Sequence, residues 1–343
     1  MKKYQETPEQ MKKVIEIVKK NGGIYCIAKT LNIGGFIARR LRNQALKQLG
    51  KAYSNVDNHP KNSKQYIENE INEKYQDLVK TVSQIRRAKR KWEMEWKTPL
   101  KGPIGIAFMA DMHVGGADVD YEVFERDLDL ICNTDGMYVV LGGDLIDNHI
   151  KHLAAIITAS MPPKQQYEWL EKILNRLNDA NKLIAIVSGN HEYFTVAVTG
   201  WSVLQNMAKK SLIPYEDNEA AITVKHGKVS YLISVRHKYR FNSSFNPGHS
   251  VRRLWEMGDY DFDCGVICHN HMAACEIGVK HGRERWFLRP GTYQLISKYA
   301  QREGFHGALP ITPAIILRDD RKDMIGIAKL DWACEILKKL RKK

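Results

Sequence analysis

Five apolar runs in this 343-residue chain each stop at an Asp, Asn or His, and that repetition constrains the fold more than any other feature. Ile104 to Ala110 runs into Asp111-Met112-His113, and Met137 to Leu141 into Gly142-Gly143-Asp144 with Asp147 close behind. Leu183 to Ser188 is followed by Gly189-Asn190-His191-Glu192, Val229 to Val235 by His237, and Cys264 to Cys268 by His269-Asn270-His271. Short, nearly continuous apolar runs of this kind read as buried strands. In folds that layer helices over sheets, functional groups collect where strands finish, because the loops there sit on a rigid scaffold. Taken singly, Gly189-Asn190 is an ordinary turn, and Asp144 or Asp147 an ordinary turn or cap residue. Five such endings in order predict one assembled site.

The residue types suit a pair of divalent cations. A phosphoester repels an anionic nucleophile and water is barely ionised at neutral pH; two cations roughly 3.5–4 Å apart answer both difficulties. Holding them that close needs a bridging carboxylate, for which Asp144 is the candidate. A mixed nitrogen and oxygen set without thiolate suits manganese, iron, zinc or nickel better than calcium. Manganese is the expected metal. Asp111 and His113, two residues apart, reach one site only if the backbone kinks after the strand, and the same holds for His269 and His271.

As an ordered set, Asp-x-His, Gly-Asp-x-x-Asp, Gly-Asn-His-Glu, a lone His and His-x-His resemble the calcineurin-like metallophosphoesterase superfamily over roughly residues 101 to 320. The resemblance implies that Asp111, His113, Asp144 and His271 hold one metal ion. Asp144, Asn190, His237 and His269 would hold the other, with Asp144 shared. It implies further that His191 is a non-ligand histidine facing the leaving group, oriented by Asp147 and Glu192. The wording Gly143-Asp144-Leu145-Ile146-Asp147 is similar to that of the DNA-repair nucleases of the superfamily. Two positions depart from the pattern: Cys268 stands where the family usually has Gly, and Lys238 follows His237 where Gly is frequent. His226, the rival of His237, sits in a hairpin turn, His226-Gly227-Lys228. His149, His152, His249 and His306 read as ordinary surface or core residues.

The net charge of +14 is concentrated: residues 1–100 hold 22 Lys or Arg against 10 Asp or Glu, and the rest 31 against 29. A basic segment of that kind beside a phosphoesterase points to a polyanion, and DNA is the expected partner. Within residues 1–50, Thr7-Pro8-Glu9 opens a helix, Ile24 to Leu31 forms a second, and Phe36 to Leu49 a third that carries Arg39, Arg40, Arg42 and Lys47. Three short helices with a basic last one match the helix-turn-helix pattern, and those four residues are the expected DNA contacts. A plain helical bundle with a solvated basic face is the competing reading.

Residues 51–62 read as a polar linker, and Ser63 to Trp96 as one long helix with a stripe at Ile67, Ile71, Tyr75, Leu78, Val82 and Ile85. The stripe fits either a homodimer through helix 63–96 or packing on the catalytic domain, and its end, Arg86 to Lys91, is strongly basic. Residues 51–100 thus form a linker and basic helix, and residues 101–343 the catalytic domain. Helices at Tyr121 to Cys132 and Lys164 to Ala180 alternate with the strands, and Ala221 to Val235 reads as antiparallel hairpin. The expected class is α/β: a four-layer α-β-β-α sandwich with a small all-helical N-terminal extension. Between His237 and His269, Lys238-Tyr239-Arg240-Phe241 with Arg252 and Arg253 mixes cations with rings, which suits substrate binding as well as a solvated loop. Arg289 to Thr292 is expected to frame the site.

No run of eighteen apolar residues suggests a membrane span, and six scattered cysteines without a Cys-x-x-Cys pair suit reduced thiols. A cytoplasmic protein with no membrane association is the expectation. Three functions compete: a metal-dependent nuclease acting on DNA, a phosphatase or nucleotide phosphodiesterase of small or protein substrates, and a metal-binding DNA-binding regulator without catalysis. The full ligand set and His191 favour enzymes, since such side chains are costly to bury for packing alone.

Overall fold

The computed structural model describes residues 6–20, 22–50, 61–88, 93–148, 150, 161–243, 245–258, 260–280, 282–295 and 309–342. Residues 51–60 of the linker expected at 51–62, and His149, His152 and His306, lie outside them; residues 61 and 62 belong to the helix that follows. The chain divides into two compact units, Met1–Ala88 and Lys89–Lys343.

In the first unit, Thr7 caps α1 (Pro8–Lys19) through a reciprocal box with Gln10, the two hydrogen bonds being 3.2 and 3.0 Å. Helix α2 (Ile24–Leu31) ends at Asn32, whose left-handed φ of 48° suits an Asn cap, and Ile33-Gly34 leads into α3 (Gly35–Gln48). Val14, Val18, Ile27, Ala38, Leu41, Ala45 and Leu46 form a small core of their own. The basic third helix does not present all its cations. Arg39 and Lys47 are exposed, Arg40 pairs with Glu6 at 3.0 Å, and Arg42 is buried, which corrects its expected place at a DNA surface. Arg42 lies next to Leu41 on the face that packs into the core, so its position in the helical repeat decides its burial.

Helix α4 (Lys61–Ala88) exposes the described members of its apolar stripe, Ile71, Tyr75, Leu78 and Val82. It stops eight residues short of the expected Trp96. Glu93–Thr98 is instead strand β1, paired in parallel with β6 (Glu219–His226). The correction has a tertiary cause: Met94 and Trp96 alternate with charged neighbours and pack into the inter-sheet core, where Trp96 meets Tyr138 edge-on at 4.7 Å.

In the second unit one six-stranded sheet has the order β1-β6-β7-β8-β10-β9, built with β7 (Val229–Arg236), β8 (Cys264–Ile267), β9 (Ala274–Lys280) and β10 (Arg283–Arg289). The other has the order β12-β11-β2-β3-β4-β5, from β2 (Ile104–Met109), β3 (Met137–Leu141), β4 (Leu183–Val187), β5 (Tyr215–Glu216), β11 (Ala314–Leu317) and β12 (Met324–Ile327). β2, β3 and β4 are parallel, as are β7 and β8, so their carboxyl ends share an edge.

Alternating side chains divide each strand between two cores. Ile106, Phe108 and Val140 meet Ile222, Ile233 and Val266 between the sheets. Ala107, Met109 and Val139 face α5 (Tyr121–Asn133), α6 (Pro163–Asp179) and α10 (Leu330–Arg341). On the far side, Val251 and Leu254 of α9 (His249–Met257) cover Ile267 and Phe287. The fold is a four-layer α-β-β-α sandwich with a helical N-terminal region, as expected. Among the described residues, no helix is long and apolar enough to cross a membrane.

Candidate metal centre

Five strand exits converge at one edge. The sheet of β2, β3 and β4 brings Asp111, His113 and Asp144, together with Asn190 and His191 at the start of α7 (Asn190–Thr199); the other brings His237, His269 and His271. Three overlapping groups result, each with ligand atoms within 4.8 Å of one another: Asp111, His113, His271; His113, Asp144, His191; and Asp144, His237, His269.

The backbone makes the kinks that the spacing requires. Asp111, His113, Asp144, His269 and His271 all have left-handed φ, between 48° and 74°. Such a conformation costs of order 1–3 kcal/mol per residue and persists where surrounding structure imposes it. It turns two residues separated by one into the same site, which a straight strand would point to the same face but carry past it. Glycines leave room for this crowding. A Cβ on Gly143, whose φ is 92°, would stand 2.6 Å from the Gly189 nitrogen and 2.7 Å from His237 Nδ1, and one on Gly189 would overlap Asp144.

Ring orientation is set by backbone carbonyls. His237 Nδ1–H donates to the Gly142 carbonyl at 2.9 Å, leaving Nε2 3.2 Å from Asp144 Oδ2 and 3.1 Å from Asn190 Oδ1. His113 Nε2 and His271 Nε2 face each other at 3.1 Å, and His271 Nε2 lies 3.5 Å from Asp111 Oδ1. Asp144 is the hub: its Oδ2 is 3.9 Å from both His191 Nε2 and His269 Nδ1, while its Oδ1 accepts the His191 backbone N–H at 2.9 Å.

Charge follows from this geometry. Burial pushes the Asp144 carboxyl up, but the His237 and His191 rings outweigh it and hold the group well below the usual carboxylate range. Burial pulls His237 down, and Asp144 more than reverses that, so the ring is pushed up to about 9. Burial likewise lowers His113, and Asp147 with Asp144 raises it overall. These directions mark a buried site that favours positive charge beside Asp144. Cations suit such a site, since among the described residues Asp111 Oδ1 and His269 Nδ1 are buried with no hydrogen-bond partner and the donor set is imidazole, carboxylate and amide oxygen.

The supporting residues differ from expectation. Asp147 orients His191 through its backbone: the carbonyl accepts from His191 Nδ1–H at 2.5 Å, while its carboxylate lies 3.6 Å from His113 Nδ1. Glu192 is engaged by main-chain groups instead of the His191 ring. Its carboxylate accepts backbone N–H groups of Asp144 (3.1 Å), Leu145 (2.7 Å), Ile146 (3.3 Å) and Gly189 (2.8 Å), lacing the Asp144 loop to the Asn190 loop. Both corrections come from main-chain groups, which carry no sequence signal. Asn148 escaped the sequence reading: its amide donates to the His191 carbonyl at 2.6 Å, and its own N–H is held by Gln166 at 2.8 Å. Its place one residue after Asp147 was the available hint. Thr292 frames the site as expected, donating to the Asp111 carbonyl at 2.8 Å.

His226, the rival of His237, stands away from the centre. His226 is the length of β7 away, bonded to the Gly102 carbonyl at 2.8 Å. Cys268 is a buried thiol pushed well above its ordinary range by desolvation, and it belongs to none of the three groups.

Solved structures that match this chain include calcineurin-like phosphoesterase YfkN from Bacillus subtilis, at 13% identity and TM-score 0.39, covering 68% of this chain and 92% of that one. Pseudomonas putida nuclease MPE matches at 11% and TM-score 0.31, covering 65% and 87%. Phosphopantetheinyl hydrolase PptH from Mycobacterium tuberculosis matches at 12% and 0.32, covering 62% and 98%. Identities and TM-scores this low carry no inference about chemistry or substrate. No curated protein matches the chain. The sequence profile of the calcineurin-like phosphoesterases does match, across residues 104–297, which is more than half of the chain and spans all five ligand-bearing strand exits. The chain therefore belongs to the calcineurin-like phosphoesterase family, whose chemistry is metal-dependent hydrolysis of phosphoesters.

Proposed function

We propose that this protein is a dinuclear metal-dependent phosphodiesterase that cuts DNA, with manganese as its metal. Asp111, His113, Asp144 and His271 would hold one cation, and Asp144, Asn190, His237 and His269 the other. Bound there, the two ions supply an activated water and screen the charge of the phosphate. His191, with Nδ1 fixed on the Asp147 carbonyl, holds its Nε2 toward the reacting group and acts as proton donor to the leaving oxygen. The reading of the hydrolytic site is carried by one observation: side chains from five strand exits, up to 160 residues apart, meet in three groups that share Asp144 and His113.

DNA as the substrate is supported by the basic excess in residues 1–100 and by α3, which exposes Phe36, Arg39 and Lys47 beside the half-buried Arg40. Two copies joined through the exposed stripe of α4 would present two such helices, as dimeric readers of DNA do.

A manganese-dependent assay comparing labelled DNA with bis(p-nitrophenyl) phosphate tests the reading. Cleavage of both is expected, with His191→Ala reducing turnover about 10²–10⁴-fold at unchanged metal content. Asp144→Asn is expected to abolish binding of both ions. Turnover of the simple ester with no cleavage of DNA and no salt-sensitive DNA binding would favour a phosphatase of small or protein substrates instead.

A further inference from the structure

The loop leaving the metal centre at His237 carries a feature that hydrolysis itself does not use. Tyr239, Arg240 and Phe241 alternate ring, cation and ring: Arg240 Cζ is 5.9 Å from the Tyr239 centroid and 4.9 Å from that of Phe241. Tyr239 is anchored, packing against the core under α9 with Arg236 over its ring at 5.2 Å. The other members face solvent. Phe241 is 39% exposed and Phe245 fully so.

Charge separates this loop from its surroundings. Arg252 is neutralised by Glu276 at 3.2 Å, Arg253 by Glu256 at 3.0 Å, and Arg236 by Glu219. Lys238 and Arg240 are exposed, and among the described residues neither meets a carboxylate. Two uncompensated cations interleaved with exposed rings complement a polyanion that also offers flat apolar faces.

The loop is held in place. Arg289, 1% exposed, donates from Nη1 to Asn242 Oδ1 at 3.1 Å and to the Pro247 carbonyl at 2.8 Å, while its Nε and Nη2 have no hydrogen-bond partner among the described residues. Burying a guanidinium with part of its donors unmet is costly. It is tolerated here where it ties the loop to β10, three residues before Thr292 grips the Asp111 carbonyl. Phe241 itself has φ 66°, a left-handed conformation unfavourable for a bulky side chain. Strain of that kind collects where a segment is pre-set for binding. Arg240 is three residues from His237, so chain length alone keeps their Cα atoms within about 11 Å.

We infer that Lys238, Arg240, Phe241 and Phe245 form a subsite for a single-stranded stretch of nucleic acid beside the scissile phosphodiester. The rings stack on unpaired bases and the two cations neutralise the flanking phosphates. A duplex cannot supply this contact, because both faces of each base are already stacked. The inference rests on the nuclease reading above.

The test uses the full chain with manganese and three substrates: a single-stranded oligonucleotide, an abasic oligonucleotide of equal length, and bis(p-nitrophenyl) phosphate. Phe241→Ala is expected to raise KM for the first about five- to hundredfold, to leave the other two within twofold, and to be rescued by Phe241→Trp. Arg240→Ala is expected to raise KM for both oligonucleotides and to flatten its salt dependence. Equal loss on all three substrates would make Phe241 a structural residue and overturn the subsite, as would unchanged KM in wild-type and variant alike. If the wild type hydrolyses the simple ester but no oligonucleotide, the nuclease reading itself falls. If it cleaves oligonucleotides and the variants match it, only the subsite falls.

Discussion

Glu192 shows how much of the centre is held by a side chain that binds no ligand. Burial raises its carboxyl and the nearby Asp144 raises it further, while amides of Gly189 and Leu145 pull the other way. A like charge beside Asp144 is tolerated because four backbone N–H groups converge on it, and charge-assisted bonds of this type are stronger than neutral ones. Glu192→Ala would strand those donors in a buried place and loosen the two loops that carry Asp144 and Asn190. Manganese affinity is expected to drop about 10–100-fold, measured by calorimetry, which is the usual scale for losing an outer partner of a metal ligand. An unchanged affinity would mean that the left-handed backbone at Asp144 holds itself. Gly189 belongs to the same scale, since no other side chain fits between it and Asp144.

At the scale of elements, α4 and β1 adjoin in sequence and follow opposite rules. The residues of α4 put apolar groups at Ile71, Tyr75, Leu78 and Val82, spaced by four, three and four, with nothing described covering them. The first half of the helix balances Glu68, Glu70 and Glu73 against Lys61, Lys64 and Lys74, and the second sets Lys80, Arg86 and Arg87 against Asp77. A second copy of the helix packed on this stripe would cover it. Leu78→Glu in the full chain is expected to convert a dimer to a monomer in sedimentation equilibrium; a monomeric wild type would remove the pairing. In β1 the period shortens to two, and only the partner strand β6 makes that visible: Glu93, Glu95 and Lys97 face out while Met94 and Trp96 go in.

At the scale of the molecule, the two compact units separate a nearly neutral hydrolytic domain from a basic helical one. Removing residues 1–50 is expected to weaken DNA binding and reduce its salt slope, while hydrolysis of bis(p-nitrophenyl) phosphate stays within twofold; fluorescence anisotropy at several salt concentrations reads the first effect. DNA binding that survives the deletion unchanged would assign the polyanion contact to another part of the chain. The hydrolytic domain has its own core layers and all eight candidate centre residues, which is why the simple ester is expected to be spared.

The amino-acid order by itself determined the layered α/β class and the residues at the strand exits. Both are local signals: an apolar run of five to seven residues, then a polar group whose chemistry is unmistakable, with glycines between them before Asp144 and Asn190. Asp111, His113, Asp144, His237, His269 and His271 could be read this way because each strand delivers its own ligand to a shared edge. Tertiary structure alone decided what supports them. Glu192 grips amides nearly fifty residues away, Asp147 acts on His191 through a carbonyl, Arg42 turns inward, and β1 leaves its helix for a strand more than a hundred residues later. Those outcomes depend on backbone groups and distant surfaces brought together by packing, and a one-dimensional pattern records neither.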